Sequence, residues 1–156
     1  MGYTENLIDF IGKSTDCYHA VKTAKDRLDE NGFTELFEGD KWDVQSGGKY
    51  YVIRNSSSII AFEMPKKDFG AFMICASHTD SPSFKLKPDF EINADGCIKL
   101  SVEGYGGMIM SSWLDRPLSI SGRIVIAKDG KIETKLVNID RDLLVIPSLA
   151  IHMSRD

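Results

Sequence analysis

Apolar positions near the start of the chain recur at helical spacing. Leu7, Ile8, Phe10 and Ile11 open an amphipathic face, and Val21, Ala24 and Leu28 carry it on. The spacing predicts helix from Thr4 to about Asn31, with Asn31-Gly32 as the C-terminal stop. Ser14-Thr15-Asp16 either interrupts this helix or caps a second one. His19, at the start of the second segment, reads as a packing or surface histidine rather than a ligand.

From Trp42 the pattern changes to short β-forming runs. Lys49–Arg54 follows a Gly47-Gly48 turn, and Ile59–Phe62 follows the polar turn Asn55–Ser58, so the two runs predict a hairpin. Phe69 to Ala76 reads as a third strand, and its apolar part, Phe72 to Ala76, as buried, with Cys75 a small core residue. Phe90–Asn93 and Cys97–Val102 flank an Asp95-Gly96 turn, and Leu118–Ala127 and Lys131–Ile139 flank Asp129-Gly130. Between these pairs, Gly104-Tyr105-Gly106-Gly107 reads as a bend or interdomain hinge. It lacks the glycine spacing and the lysine of a phosphate loop.

The apolar run ends at Ser77-His78-Thr79-Asp80-Ser81-Pro82. In an extended segment His78 and Asp80 project to one side, which suits an imidazole and the carboxylate that orients it through its other ring nitrogen. On spacing alone His-x-Asp is a weak signal, and Ser-Pro is also an ordinary turn that stops a strand. Trp113-Leu114-Asp115-Arg116 reads either as a structural anchor or as a substrate contact.

Composition narrows the class. The 156 residues, 42% hydrophobic and 27% charged, suit a folded domain with a core, and the net charge of −4 argues against a nucleic-acid surface. The cysteines Cys17, Cys75 and Cys97 form neither a disulfide framework nor a Cys-x-x-Cys pair. No secretory pattern opens the chain and no apolar run is long enough for a membrane span, so a cytoplasmic location is expected, with no membrane and no nucleic acid as partners.

The window Ser77-His-Thr-Asp-Ser-Pro-Ser-Phe-Lys-Leu-Lys-Pro88 resembles the signature of the aspartyl aminopeptidase family of zinc exopeptidases. The resemblance extends through Tyr18-His19-Ala20-Val21, Gly47-Gly-Lys-Tyr-Tyr, the Trp113-Leu-Asp-Arg element and Ile146-Pro-Ser-Leu-Ala-Ile-His152. It implies an α/β fold. Residues 1–105 would form the N-terminal part of a catalytic domain, a helix followed by sheet strands. Residues 106–156 would open a β-rich inserted domain used for dimerisation and larger assembly.

The resemblance also implies His78 as a zinc ligand, Asp80 as the catalytic-site residue that orients it, and His152 as a substrate-binding residue that reaches a neighbouring subunit. The cofactor would be zinc, two ions per complete site, and the substrate a peptide with an acidic or neutral N-terminal residue. The partner would be a second copy of the chain in a homo-oligomer. A related metallohydrolase that deacylates small amides is the nearby variant.

Only His78 sits in a convincing ligand context, and the family's adjacent glutamates have no counterpart here. The expectation is therefore an N-terminal piece, inactive alone, with exposed sheet edges prone to self-association. The alternative is a non-catalytic assembly or binding module derived from the same family. The apolar tail from Leu143 favours the former.

Overall fold

The computed structural model of the protein describes residues 2–94 and 96–153. It is a mixed α/β structure. In chain order it contains helices α1 (Tyr3–Lys13) and α2 (Cys17–Glu30), then strands β1 (Thr34–Glu35), β2 (Lys49–Arg54) and β3 (Ser58–Glu63). Strands β4 (Ser83–Ala94), β5 (Cys97–Tyr105), β6 (Ser121–Lys128) and β7 (Lys131–Asn138) follow. Two compact units result. One comprises Met1–Asp80 with Ser121–Asn138, the other Ser81–Ile120 with Ile139–Asp156. Among the described residues no helix is long and apolar enough to cross a membrane.

In the first unit, the polar Ser14-Thr15-Asp16 stretch divides the expected helix in two. Asp16 is the cap of α2, because its carboxylate accepts the backbone N–H groups of Tyr18 (2.8 Å) and His19 (3.0 Å). The same carboxylate takes up His19 Nδ1 at 2.6 Å, so this histidine belongs to the cap. At the other end Gly32, at φ 77°, turns the chain out of the helix, and the Phe33 N–H donates back to Leu28 O. Arg27 joins the two helices by donating to Asn6 O at 2.8 Å and lying over the Phe10 ring. Leu7, Ile8 and Ile11 remain exposed, so most of the apolar face of α1 is uncovered.

The core of this unit sits where α2 meets the β1-β2-β3 sheet. Val21 and Tyr51 are fully buried, and Tyr50 nearly so. β2 pairs with β3 in antiparallel register, Lys49 opposite Glu63 through Arg54 opposite Ser58, and with the two-residue β1 in parallel. Tyr50 therefore faces Phe62, with ring centroids 5.7 Å apart. Gly48 has a specific reason to be glycine, since a Cβ there would lie 2.4 Å from the Tyr50 hydroxyl. That hydroxyl accepts the Gln45 N–H at 2.9 Å. The β6–β7 hairpin closes on Asp129 and Gly130, both at positive φ as a two-residue turn of this hand requires.

The second unit is built on the β4–β5 hairpin. β4 begins at Ser83, before the point at which a strand was expected, and runs through Pro88. A proline cannot donate to a ladder, and the pairing accommodates it with a register shift between Leu86, opposite Val102, and Glu91, opposite Leu100. Asp95, half of the turn expected at the hairpin tip, lies outside the described residues. Phe84 meets Trp113 edge to face at 5.5 Å, and Lys85 lies over the Tyr105 ring. Gly106 (φ 72°) passes against Pro82 and bends the chain away from the hairpin. Leu118, expected as the start of a strand, instead makes an isolated bridge with Leu144.

The apolar run before His78 departs from expectation as well. Residues 69–76 form no strand, and Phe72, Met73 and Ile74 are 78%, 105% and 86% exposed. Cys75 is exposed as well, and is not a core residue. The reason is physical: a strand exists through its ladder, and an apolar run encodes a demand for cover without supplying it. Among the described residues no strand pairs with 69–76, so the segment stays without a ladder. Within it Phe69 stands edge-on to Phe72 at 5.1 Å, a local contact.

Candidate functional site

His78 and Asp80 come together through a bend at Thr79 rather than along an extended strand. The His78 Nδ1 lies 2.7 Å from the backbone carbonyl of Asp80 and 3.2 Å from its carboxylate Oδ1. A carbonyl oxygen only accepts, so Nδ1 carries the hydrogen in that contact. In the neutral ring the lone pair is then on Nε2. The imidazole is 80% exposed and the Asp80 side chain 42%, so both are open to solvent. The carboxylate was the expected orienter. The structure adds the backbone carbonyl of the same residue as the nearer acceptor.

Thr79, between the two, donates its hydroxyl to Ser57 O at 2.7 Å. That contact carried no signal in the sequence, because its acceptor is a main-chain carbonyl in a distant turn. Among the described residues no group of three or more His, Cys, Asp and Glu side chains converges as a metal cluster.

His152 lies in the second unit, on the short 3₁₀ turn Ile151–Met153, and is exposed between Ile151 and Met153, themselves 76% and 73% exposed. The segment leading to it is pinned by Asp115. The Asp115 carboxylate accepts the Ser148 N–H at 2.9 Å and the Ser148 hydroxyl at 2.5 Å, and the Asp115 N–H donates to Ile146 O at 2.9 Å. The hydroxyl bond and then the N–H bond hold the Asp115 carboxyl below its ordinary value. Asp115 itself sits at φ 54°, in left-handed backbone. Of the two readings open for Trp113–Arg116, these contacts are those of an anchor: Trp113 packs on Phe84, Asp115 ties Ser148, and Arg116 donates to Ser112 O.

Comparison with known proteins bears on the whole chain. The family model described as aminopeptidase I zinc metalloprotease (M18) matches residues 10–156. A probable M18 family aminopeptidase 2 of Clostridium acetobutylicum is 48% identical over 162 residues, covering 99% of this chain and 37% of the relative. Among solved structures, a chain in the cryo-EM structure of the Ape4 and Nbr1 complex superposes with a TM-score of 0.90 at 42% identity. That match covers 96% of this chain and 30% of that one. The S. cerevisiae mApe1 dodecamer superposes with a TM-score of 0.79 at 34% identity, covering 95% of this chain and 36% of that one. The chain thus spans a little over a third of the length of the curated relatives it matches. With the match running from the helices through the His78 bend to the tail, the chain belongs to the M18 family of aminopeptidase I zinc metalloproteases.

Proposed function

We propose that the complete protein is a zinc-dependent aminopeptidase that removes N-terminal residues from peptides, and that His78 is one of its zinc ligands. The observation that supports this most directly is the Nδ1 contact with residue 80 (2.7 Å to the carbonyl, 3.2 Å to the carboxylate). It sets the tautomer and the ring orientation that a metal-binding Nε2 requires. The donor chemistry therefore fits zinc at one position. In this reading Asp80 orients His78, and the remaining ligands belong to the part of the complete protein outside this span.

Zinc, when bound, would supply Lewis-acid polarisation of the scissile amide and activation of water. The contribution of this chain is to fix one imidazole, with the backbone carbonyl of Asp80 holding the Nδ1 hydrogen and the carboxylate adding negative charge beside it. His152 would contact substrate in a neighbouring copy, consistent with the dodecamer formed by the S. cerevisiae relative. Residues 1–105 would belong to the catalytic domain and 106–156 to an inserted assembly domain. We further assign a cytoplasmic location, a homo-oligomer, and a preference for acidic or neutral N-terminal residues. By itself this span would bind zinc weakly and turn over no peptide.

The deciding experiment is His78→Ala in the complete protein, assayed for zinc content and for release of an N-terminal residue from aspartyl and leucyl peptides. The reading expects loss of both. Retention of zinc and of hydrolysis removes His78 from the site. A wild-type protein that hydrolyses neither peptide leaves the non-catalytic module as the better description.

A further inference from the structure

The bend that carries His78 is fastened to a distant turn by the residue next to it. The Thr79 hydroxyl donates to Ser57 O at 2.7 Å, in the turn that joins β2 to β3. That turn is closed by the Ser57 N–H donating to Arg54 O at 3.1 Å, and its central residues Asn55 and Ser56 have φ 51° and 56°. Left-handed backbone is tolerated by asparagine and disfavoured for serine, so such a turn keeps its shape where its surroundings hold it.

Arg123 on β6 supplies that hold. Its Nη1 donates to Asn55 O at 2.8 Å and to Asn55 Oδ1 at 3.1 Å, while its guanidinium lies 4.5 Å over the Tyr18 ring at the start of α2. The turn is therefore gripped on one side by the β6–β7 hairpin and grips the His78 bend on the other.

We propose that Thr79 is a positioning residue for His78. Through Ser57 it fixes the bend to the β2–β3 turn, and Arg123 keeps that turn in the shape that presents the Ser57 carbonyl. The proposal rests on the reading of His78 as a zinc ligand. Thr79 touches neither metal nor substrate in it. Its effect is to reduce the range of orientations over which the imidazole must be ordered when a metal binds.

The test is zinc affinity of the complete protein, measured by competition with a chromogenic chelator, with the thermal midpoint recorded beside it. Thr79→Val keeps the shape and removes the donor, and is expected to weaken zinc binding about tenfold, the lower end of what loss of a supporting contact costs. Thr79→Ser keeps the hydroxyl and is expected to bind as the wild type does. Arg123→Met leaves the hydroxyl in place and loosens the turn, and is expected to fall between the two.

Wild-type affinity in Thr79→Val overturns the proposal, as does a Thr79→Ser variant weakened as much as the valine. If the valine variant does not fold, Arg123→Met decides, and unchanged zinc affinity there overturns the proposal. His78→Ala in the same assay separates the two levels. Loss of affinity there with none in Thr79→Val sinks the positioning role alone. Unchanged affinity in His78→Ala sinks the ligand reading on which it rests.

Discussion

The Asp115 carboxylate accepts two hydrogen bonds from a single residue, Ser148, one from its hydroxyl at 2.5 Å and one from its backbone N–H at 2.9 Å. These bonds hold the Asp115 carboxyl below its ordinary value of 3.8. A depressed carboxyl stabilises the folded state above the ordinary value, and that contribution is lost as pH falls through the lower, folded one. The Ser148 amide resonance should therefore titrate with a midpoint below 3.8. Asp115→Ala should remove that titration and speed hydrogen exchange at Ser148. A Ser148 midpoint at or above the ordinary value would count against the tie.

Tyr51 gives a prediction at the opposite end of the pH scale. Its hydroxyl donates to Asp29 Oδ1 at 2.6 Å and accepts from Lys25 Nζ at 2.5 Å, and Lys25 also donates to Glu35 at 2.7 Å. Burial first, and the bond to Asp29 second, push the phenol above its ordinary value of 10.0. The folded state then keeps a proton that the unfolded state releases, so stability is full below 10.0 and declines as pH rises through the folded value. Tyr51→Phe keeps the buried ring and should cost about 1 kcal/mol at neutral pH, because Asp29 and Lys25 can both turn to water. It should also flatten the alkaline decline. Urea unfolding at neutral and alkaline pH measures both effects.

Ser56 occupies left-handed backbone at φ 56°, a conformation that costs a non-glycine residue roughly 1–2 kcal/mol. Ser56→Gly removes that cost and adds back part of it as chain entropy in the unfolded state. The expected net gain is about 0.5–1 kcal/mol, read as a higher urea midpoint with an unchanged slope. A lower midpoint would mean that the serine side chain makes a contact worth more than the strain.

The nearer acceptor for His78 Nδ1 is the main-chain oxygen of Asp80, at 2.7 Å, which no side-chain substitution removes. Asp80→Ala in the complete protein should therefore weaken zinc binding by about tenfold, the lower end of the range for loss of a supporting carboxylate. Chelator competition gives the number. A loss of about a hundredfold or more would show that the carboxylate, rather than the carbonyl, holds the ring in the metal-bound state.

What was legible in the sequence was local. The β6–β7 hairpin follows from Asp129-Gly130, and the β2–β3 hairpin from a polar turn between two β-rich runs, because turn chemistry is carried by adjacent residues. Ser14-Thr15-Asp16 allows one interrupted helix or two, and the side chain of Asp16, by capping α2, makes it two. The Phe72–Ala76 run announced a need for burial but not the strand that would meet it, since pairing is non-local. The same limit hid the anchor of the candidate site. Thr79 meets Ser57 across 22 residues and Arg123 meets Asn55 across 68, and nothing in either residue marks its partner. His78 and Asp80 stand out in the sequence because their neighbours form a long signature.

The register shift in the β4–β5 hairpin has a consequence for protein engineering. Residues 87–90 stand opposite Ser101 alone, so the ladder is interrupted between Leu86 and Glu91. The base, Ser83–Leu86 against Val102–Tyr105, and the distal half, Glu91–Ala94 against Cys97–Leu100, keep separate registers. Length added at the interruption does not have to propagate into the base, where Phe84 packs on Trp113. This makes the stretch from Lys87 to Phe90 a natural graft point, where an epitope or a reporter peptide can be spliced into the hairpin without resetting the strands beneath it.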